Sequence, residues 1–382
     1  MRLLVPLLAA VAASLALGAP GSSATPRDVG APPNRLGPGY VASDNVELVR
    51  NLPLHSDSAG GRRVGRYFYI TTERDLTIYD VARPAAPRQV GHLLLAPPGE
   101  YYFPEEDVDT NGKILLVGNG GTLSVISVRD KTDPHVIGSL AGADDHTITC
   151  VLDCKWAYTS GGKIVDLRRP RRPRLAGRWD RGMPLGRGRH DVTEVAPGRV
   201  VTSTQPLLFL DARADPAHPR LLALGANRDH RFIHGNVWPR RGRDRFLLAG
   251  GESGGPSCEG RDAGTFMTWS TRSWRTSHSF RMVDQFRVAN GPPTDGQAML
   301  NQYCAHWFDP HPSFRNGGLV AMAWYEHGTR FLRVSSTGRI RAAGYFLPLT
   351  GSTSGAYWIS DRIVYATDYN RGLDVLRFTG RP

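Results

Sequence analysis

Residues 163–177 read KIVDLRRPRRPRLAG: an aliphatic run that ends in Asp, a Pro-containing turn, and a strand-like segment that ends in Gly. The pattern recurs as TIYDVARPAAPRQVG at 77–91, SVISVRDKTDPHVIG at 124–138 and LFLDARADPAHPRLLA at 208–223. The prolines that open the last segments stand 47, 39 and 46 residues apart. A period in the forties with four short strands per unit is typical of a β-propeller.

The composition of each unit fits this interpretation. Near-continuous aliphatic runs suit strands buried on both faces between neighbouring blades. Proline suits the start of an outer strand because it cannot donate to a sheet ladder. The Asp that follows the aliphatic run in three of the four units can cap the following turn, so we assign these Asp residues no chemistry.

The repeat resembles the LVIVD family of extracellular propeller repeats, whose core reads as four aliphatic residues and Asp, then Pro, then a strand with Gly. The resemblance covers most of residues 45–378 and is clearest in the first four units. It implies a propeller fold and an extracellular location, and little about function.

The two ends of the repeat region complement each other. Residues 45–54 look like an outer strand without inner strands before it, and the unit at 353–378 stops without an outer strand. Pairing them would remove an exposed sheet edge. We therefore predict an all-β, seven-bladed β-propeller of four-stranded blades, closed by the N-terminal outer strand. Propellers of six or eight blades remain alternatives, because the sequence pattern of the first inner strand, near His55, is weak. The blades are expected at about 55–98, 103–140, 144–180, 188–226, 232–290, 302–348, and 353–378 plus 45–54.

The segments outside the repeat predict export. Residues 1–24 read as a signal peptide, with Arg2, an apolar run over 3–17 and small residues before a cleavage site after Ala24. No later segment approaches 18 apolar residues, so we expect a secreted protein without a transmembrane anchor. Residues 25–44 are expected to be a flexible Pro/Gly-rich lead-in. Residues 45–382 would form a single propeller domain with an insertion at about 251–275.

The basic charge suggests one class of partner. The formal net charge is +12 and the isoelectric point is about 9.9. An anionic cell-wall polymer or an acidic glycan is the functional interpretation, and a solvated basic surface is the alternative. Arginine pairs at 168–169, 171–172 and 240–241 lie in predicted turns without interleaved aromatic residues. This arrangement does not favour nucleic-acid binding.

The chain contains four cysteines, which in an exported protein suggest two structural disulfides. Three connectivities are open. Cys150 and Cys154 are close enough to bridge one hairpin, and Cys258 and Cys304 would then tie the insertion to a later strand. The spacing is not CxxC and does not match that of zinc ligands.

A histidine recurs where inner strands are expected to begin. His146, His190, His234 and His306 follow one another at steps of 44, 44 and 72 residues, and the last step is longer by about the size of the insertion. Four blades would then aim imidazoles at one axis. Such a cluster suits a divalent transition metal, which would be the cofactor of this protein.

Carboxylates accompany these histidines. Glu106 or Asp107 would come from a fifth blade, and Asp145 or Asp191 could orient an imidazole through its other nitrogen. Channel carboxylates could also act as acid or base. The alternative is structural, because polar groups in a wet channel also bond to backbone or water. The layout is similar to that of the selenium-binding propellers, which resemble methanethiol oxidases with a copper–histidine centre, although their motifs do not match residue by residue.

Common catalytic motifs are missing from the sequence. It contains no Gly-Lys-Ser/Thr phosphate loop and no His-Glu-x-x-His pair, which argues against the commonest nucleotide-binding and zinc-protease classes. Two hypotheses remain. The first is a secreted ligand-binding or surface-interaction propeller that holds a ligand at the channel mouth. The second is a metal-dependent, copper-type enzyme such as an oxidoreductase.

Overall fold

The computed structural model of this chain describes residues 34–37, 39–53, 58–72, 74–95, 108–119, 121–143, 145–186, 188–226, 232–252, 264–288 and 304–381. Seven antiparallel blades surround a central channel, which confirms the predicted seven-bladed all-β propeller. The signal peptide predicted at 1–24 lies outside the described residues. No helix in the described ranges is long and apolar enough to cross a membrane.

The strands of the first half follow in chain order. Three strands precede blade 1: β1 (Asn34–Gly37), β2 (Tyr40–Ser43) and β3 (Val46–Leu52). Blade 1 contains β4 (Ser58–Val64), β5 (Tyr67–Thr72), β6 (Asp75–Asp80) and β7 (Arg88–Leu94). Blade 2 contains β8 (Asp109–Thr110), β9 (Ile114–Asn119), β10 (Thr122–Ser127) and β11 (His135–Ala141). Blade 3 contains β12 (Ile148–Val151), β13 (Trp156–Thr159), β14 (Lys163–Asp166) and β15 (Arg174–Arg178).

The second half repeats the arrangement. Blade 4 contains β16 (Arg189–Ala196), β17 (Arg199–Thr204), β18 (Leu207–Asp211) and β19 (Arg220–Gly225). Blade 5 contains β20 (Gly235–Val237), β21 (Phe246–Gly250), β22 (Thr265–Ser270) and β23 (Arg281–Arg287), with short helices α1 (Pro239–Gly242) and α2 (Trp274–Ser277). Blade 6 contains β24 (Phe308–Pro310), β25 (Gly318–Ala323), β26 (Thr329–Val334) and β27 (Ile340–Pro348). Blade 7 contains β28 (Thr353–Trp358), β29 (Ile363–Asp368) and β30 (Gly372–Phe378).

The N-terminal strand closes the ring as predicted. Strand β3 is the outer strand of blade 7 and pairs antiparallel with β30, with Val46 opposite Phe378 and Leu52 opposite Leu373. The last blade therefore combines both ends of the propeller region, and its outer hydrogen-bonding edge is filled by the chain itself.

The lead-in predicted at 25–44 is wrong in its second half. Strands β1 and β2 form a hairpin, and β2 pairs with the outer strand β27 of blade 6, with Val41 opposite Leu347. Tyr40 packs on Phe346 at 4.9 Å between ring centroids, and this contact gives the segment a reason to order. Residues 25–33 lie outside the described residues.

The aliphatic runs become the third strand of each blade, and their side chains form the core. Ile78, Val125, Val165 and Leu210 are completely buried. Each of the seven blade–blade interfaces holds its own hydrophobic cluster. Burial on both faces of these strands explains why their sequences are continuously apolar rather than alternating.

The Gly of the repeat serves close packing between blades. A Cβ atom on Gly177 would lie 2.5 Å from the main-chain oxygen of Ala217, which belongs to the turn of the next blade. The Asp of the repeat caps its own turn, because Asp166 accepts the main-chain N–H of Arg168 at 3.0 Å. The Gly and the Asp of the repeat therefore both have structural roles, which confirms the prediction that the Asp caps its turn.

The insertion predicted at about 251–275 ends earlier. Strand β21 ends at Gly250 and β22 begins at Thr265. Residues 265–270 are the third strand of blade 5, because they pair antiparallel with β21 on one side and β23 on the other. Most of the remaining insertion lies outside the described residues.

Candidate metal centre

The four predicted histidines lie side by side at one end of the channel. The ring centroids are 4.4 Å apart for His146 and His190, 3.9 Å for His190 and His234, and 3.9 Å for His234 and His306. We call this the imidazole end; it is where the inner strands of blades 3 to 6 begin. His146 is exposed and the other three are buried, so the row runs from solvent into the protein.

Main-chain carbonyls fix two of the rings. His190 Nδ1 lies 3.0 Å from the carbonyl oxygen of His234, and His306 Nδ1 contacts the carbonyl oxygen of Ser354 in the next blade. A carbonyl only accepts, so the hydrogen of each ring belongs on Nδ1. In the neutral imidazole Nε2 then carries the lone pair, which is the arrangement that metal-ligating histidines adopt.

Glu252 is the acidic member of the cluster. Its Oε2 lies 3.9 Å from Nε2 of His190 and 3.8 Å from Nε2 of His234. The ligand atoms of the three residues all lie within 4.8 Å of one another. The Glu252 side chain is only 14% exposed and the His234 side chain is fully buried, so the carboxylate sits in a weakly solvated place that favours a cationic partner.

These distances suit an ion between the groups better than direct contact. They exceed the length of a hydrogen bond. Zinc-type bonds of about 2.0–2.2 Å place tetrahedral donors roughly 3.3–3.6 Å apart. The separations of 3.8 and 3.9 Å are within about half an ångström of that value. The residues present therefore fit a divalent transition ion held by two imidazoles and one carboxylate.

An aromatic shell orients this cluster. The Tyr325 hydroxyl donates to Glu252 Oε1 at 2.8 Å, and its ring lies 4.5 Å from that of His306. Tyr325 has φ of 42°, a left-handed conformation that costs energy for a bulky residue. Trp307 lies 4.4 Å from the His234 ring and forms the floor of the cluster. A second ligand shell of this kind holds the carboxylate in one orientation.

The sequence did not identify Glu252 or Tyr325. Both follow the second strand of their blades, β21 and β25. In an antiparallel blade the end of the second strand lies on the same face as the start of the first, so these loops meet the histidines. The Gly-Gly pair before Glu252 was the available signal, because it marks the end of that strand.

The predicted carboxylates do not orient imidazoles. Asp145 accepts hydrogen bonds from Thr159 Oγ1 at 3.0 Å and from its own neighbour His146 N at 3.1 Å. Asp191 accepts from Thr193 Oγ1 at 2.8 Å and is 1% exposed. Successive side chains of a strand point to opposite faces, so Asp191 turns away from the ring of His190. Glu106 and Asp107 lie outside the described residues.

Asp191 has an unusual environment of its own. Burial raises its pKa to about 6, the negative charge of Asp109 adds to the shift, and hydrogen bonds from Thr193 and Thr147 oppose it. It lies along β16 between His190 and Glu194, in the wall of the channel. It is a structural carboxyl that can take up a proton near neutral pH.

The other end of the channel contains an open cavity of about 620 Å³. We call it the guanidinium end, because its lining includes Arg62, Arg63, Arg240 and Arg241. Two acidic residues, Glu194 and Asp309, share the lining. Burial raises the pKa of Asp309 to about 6, against the effect of Arg62 and Arg63, and raises the pKa of Glu194.

One predicted disulfide is confirmed and the other is described only in part. Cys150 and Cys154 are bonded across the β12–β13 turn, with Cα atoms 4.3 Å apart. Cys304 is also disulfide-bonded, and Cys258 lies outside the described residues. In the turn that the Cys150–Cys154 disulfide closes, Leu152, Asp153 and Cys154 have left-handed backbone conformations. These conformations cost energy for residues other than glycine, and the covalent link helps to hold them.

Comparison with known proteins identifies the fold alone. The β-propeller domain of Cps50 (Swd1) from Myceliophteria thermophila is 11% identical, has a TM-score of 0.56, and the match covers 85% of this chain and 98% of that one. The structure of U3-55K is 10% identical, has a TM-score of 0.55, and the match covers 87% and 98%. No family model matches this chain, and no curated protein resembles it in sequence. The LVIVD resemblance therefore stands on the quoted repeats only.

Proposed function

We propose that this protein is a metal-dependent β-propeller that binds a divalent transition ion at the imidazole end of its channel. The observation that carries the proposal is the position of Glu252 Oε2, 3.9 and 3.8 Å from the Nε2 atoms of His190 and His234. The Nδ1 atom of His190 is engaged with a carbonyl, and its Nε2 atom faces Glu252.

The donor set narrows the choice of ion. Imidazole and carboxylate together favour Zn²⁺, Cu²⁺ or Fe²⁺ over Ca²⁺ and Mg²⁺, which prefer oxygen ligands. His306 and the exposed His146 flank the three ligands and can complete the site or contact a substrate. Such an ion supplies Lewis-acid or redox chemistry, and the exposed position of His146 marks the side from which a small substrate would enter.

The test is metal content. Protein exported with its disulfides formed and purified without a His tag should contain about one transition ion per chain. The His190→Ala/His234→Ala double variant should contain almost none. His135→Ala/His218→Ala removes two exposed imidazoles, one at the start of the outer strand β11 and one in the turn before β19, and should retain the ion.

The Glu252→Gln variant tests whether misfolding explains a loss of metal, because it keeps the shape of the side chain and removes only its charge. It should lower the affinity for the ion without changing the circular dichroism. Native protein that stays empty after incubation with Zn²⁺, Cu²⁺ and Fe²⁺ would contradict the proposal.

The guanidinium end favours a second candidate function, that of a ligand-binding propeller. Its volume of about 620 Å³ lies within the usual range for small-molecule sites, and its arginines select anions. Titration calorimetry with citrate and inorganic phosphate tests this idea. Binding that weakens in Arg240→Ala/Arg241→Ala supports it, and the absence of heat with both anions argues against it.

We also propose that the protein is secreted. The leader-like residues 1–24 support this, and so does the Cys150–Cys154 disulfide, since such bonds persist in oxidising compartments. Sequencing the exported protein should find an N-terminus at Thr25. Protein retained in the cytosol with residues 1–24 intact would refute it.

A further inference from the structure

The turn between β14 and β15 is the most basic segment of the propeller rim. Residues 168–174 read RRPRRPR, five arginines and two prolines. Every one of the five arginines is exposed. With Asp166 beneath them, Arg168, Arg169, Arg172 and Arg174 line a surface cavity of about 360 Å³.

Two of these arginines, Arg168 and Arg174, have a structural role in the blade. Arg168 Nη2 lies 2.7 Å and Arg174 Nη2 lies 3.1 Å from Asp166 Oδ2. Hydrogen bonds from the Arg168 side chain hold the pKa of Asp166 far below its usual range. Arg168 also stacks over Trp156 at 5.1 Å. These contacts anchor the capping Asp of the blade.

The corresponding turns of other blades show what the fold requires. Asp80 and Asp211 accept the main-chain N–H two residues later at 3.0 and 3.1 Å, as Asp166 does at 3.0 Å. The side chain of Arg213 donates to Asp211 in the same way, with Nε at 2.8 Å from Oδ1. Turns 81–86 and 212–218 contain one arginine each, whereas 167–172 contains four.

The three remaining arginines exceed this structural requirement. Within the described residues, no ion pair joins Arg169, Arg171 or Arg172 to an acidic group. Three positive charges therefore concentrate on one short turn without compensation. Concentrated charge of one sign on a surface attracts partners of the opposite sign.

The backbone that carries them is rigid. Arg172 N donates to Arg169 O at 2.7 Å, which closes the turn. Pro170 and Arg171 pack against Gly138 of blade 2, where a Cβ atom would clash with their main chain, and Pro173 is buried. Because the backbone is fixed, binding of an anion by these arginines costs less backbone entropy than it would on a mobile loop.

We propose that the turn 168–174 is a binding site for an acidic polymer chain, whose phosphate or carboxylate groups it takes between Arg169, Arg171 and Arg172. Guanidinium groups bind both anions in bidentate fashion. Nucleic acid is disfavoured, because Trp156 is buried beneath Arg168 and the site offers no exposed aromatic face to a base. The site is independent of the metal centre, which lies on the channel axis.

The experiment measures binding of the full exported protein to three immobilised polymers: a glycerol-phosphate polymer, polygalacturonate and double-stranded DNA. The variant is Arg169→Ala/Arg171→Ala/Arg172→Ala. Its control is Arg129→Ala/Arg220→Ala/Arg281→Ala, which removes the same charge from exposed positions in blades 2, 4 and 5. The variant should lose about 10- to 100-fold in affinity for an acidic polymer, and the control about 2-fold.

A charge-preserving variant separates geometry from net charge. Arg169→Lys/Arg171→Lys/Arg172→Lys keeps the charge but loses the planar fork, and should bind several-fold more weakly than the native protein. The preferred polymer identifies phosphate or carboxylate as the ligand group. Equal losses in the Ala variant and its control, or DNA bound more tightly than both acidic polymers, would overturn the proposal.

Discussion

The two ends of the channel are built from the same inner strands and have opposite chemistry. At the imidazole end, three buried rings and one exposed ring lie 3.9 to 4.4 Å apart between neighbouring centroids. At the guanidinium end, arginines surround an open cavity of about 620 Å³. On β16, only residues 191–193 separate His190 at one end from Glu194 at the other.

The difference follows from charge. Uncharged imidazoles can pack against one another, and here the ring of His234 lies tilted by 37° to that of His190 and by 44° to that of His306. Guanidinium groups always carry charge and repel one another, so they remain spread around a solvated space. A small closed polar cluster is suited to an ion, and a wide charged opening to a larger anion. The following predictions test whether the two ends are as independent as this contrast implies.

The largest expected effect is the stabilisation by a bound ion. A site held at about 100 times its dissociation constant adds about 2.7 kcal/mol to the free energy of unfolding. An unfolding entropy of roughly 2.1 cal/mol/K per residue gives about 0.8 kcal/mol/K for a chain of this length, so chelation should lower the Tm of the native protein by about 3–4 °C. Differential scanning fluorimetry with and without a chelator measures it.

The control compares the two ends directly. Arg240→Ala/Arg241→Ala should keep the full response to the chelator, because it changes only the guanidinium end. His190→Ala/His234→Ala should show no response. A chelator effect that persists in the His variant would place the ion elsewhere.

The next effect concerns the hydrogen bond from Tyr325 to Glu252, 2.8 Å long. Tyr325→Phe removes only the hydroxyl. We expect a roughly 10-fold loss of metal affinity, the usual scale for a group that orients a ligand. Competition with a fluorescent chelator measures the change.

Tyr357→Phe is the matched control, since Tyr357 lines the guanidinium end. It should leave the metal affinity unchanged. If the Tyr325 variant binds as the native protein does, the Tyr325 hydroxyl has no role in orienting Glu252.

The sequence predicts the periodic part of this molecule well. The aliphatic runs, the capping Asp and the recurring His occupy the same place in successive blades, so their spacing alone places them. The pairing of Cys150 with Cys154 was one of three possibilities, and the short turn between β12 and β13 selects it. The closing strand β3 followed from the missing outer strand of the last unit.

The residues outside the repeat could not be predicted from the sequence. Glu252 and Tyr325 lie in loops outside the repeat, and only folding brings them to His234 and His306. The choice of Asp191 as an orienting group failed because sequence neighbours in a strand face opposite sides. The sequence analysis missed the hairpin β1–β2 for two reasons. Its pairing partner β27 lies some 300 residues away in the chain, and the Pro and Gly residues of the segment are untypical of strands.

The last effect is the pH dependence contributed by Asp191, which lies between the two ends. Its pKa is raised from 3.8 to about 6 by burial, so the folded state binds a proton more tightly than the unfolded chain. Its contribution to stability is therefore fully present below about pH 4 and is lost as the pH rises through about 6. Asp191→Asn, which stays neutral and keeps an acceptor for Thr193, should flatten the pH profile in that range.

Urea unfolding at intervals between pH 4 and 7 measures this, with Asp180→Asn as the control. The pKa of Asp180 is lowered, mainly by hydrogen bonds from Arg178 that overcome its partial burial. It thus stabilises the protein above the unfolded pKa, and its loss should cost stability at pH 7 and little at low pH. If Asp191→Asn also loses stability at pH 7 and keeps the native slope, the carboxyl is ionised in the channel wall. The two ends of the channel would then share a fixed negative charge between them.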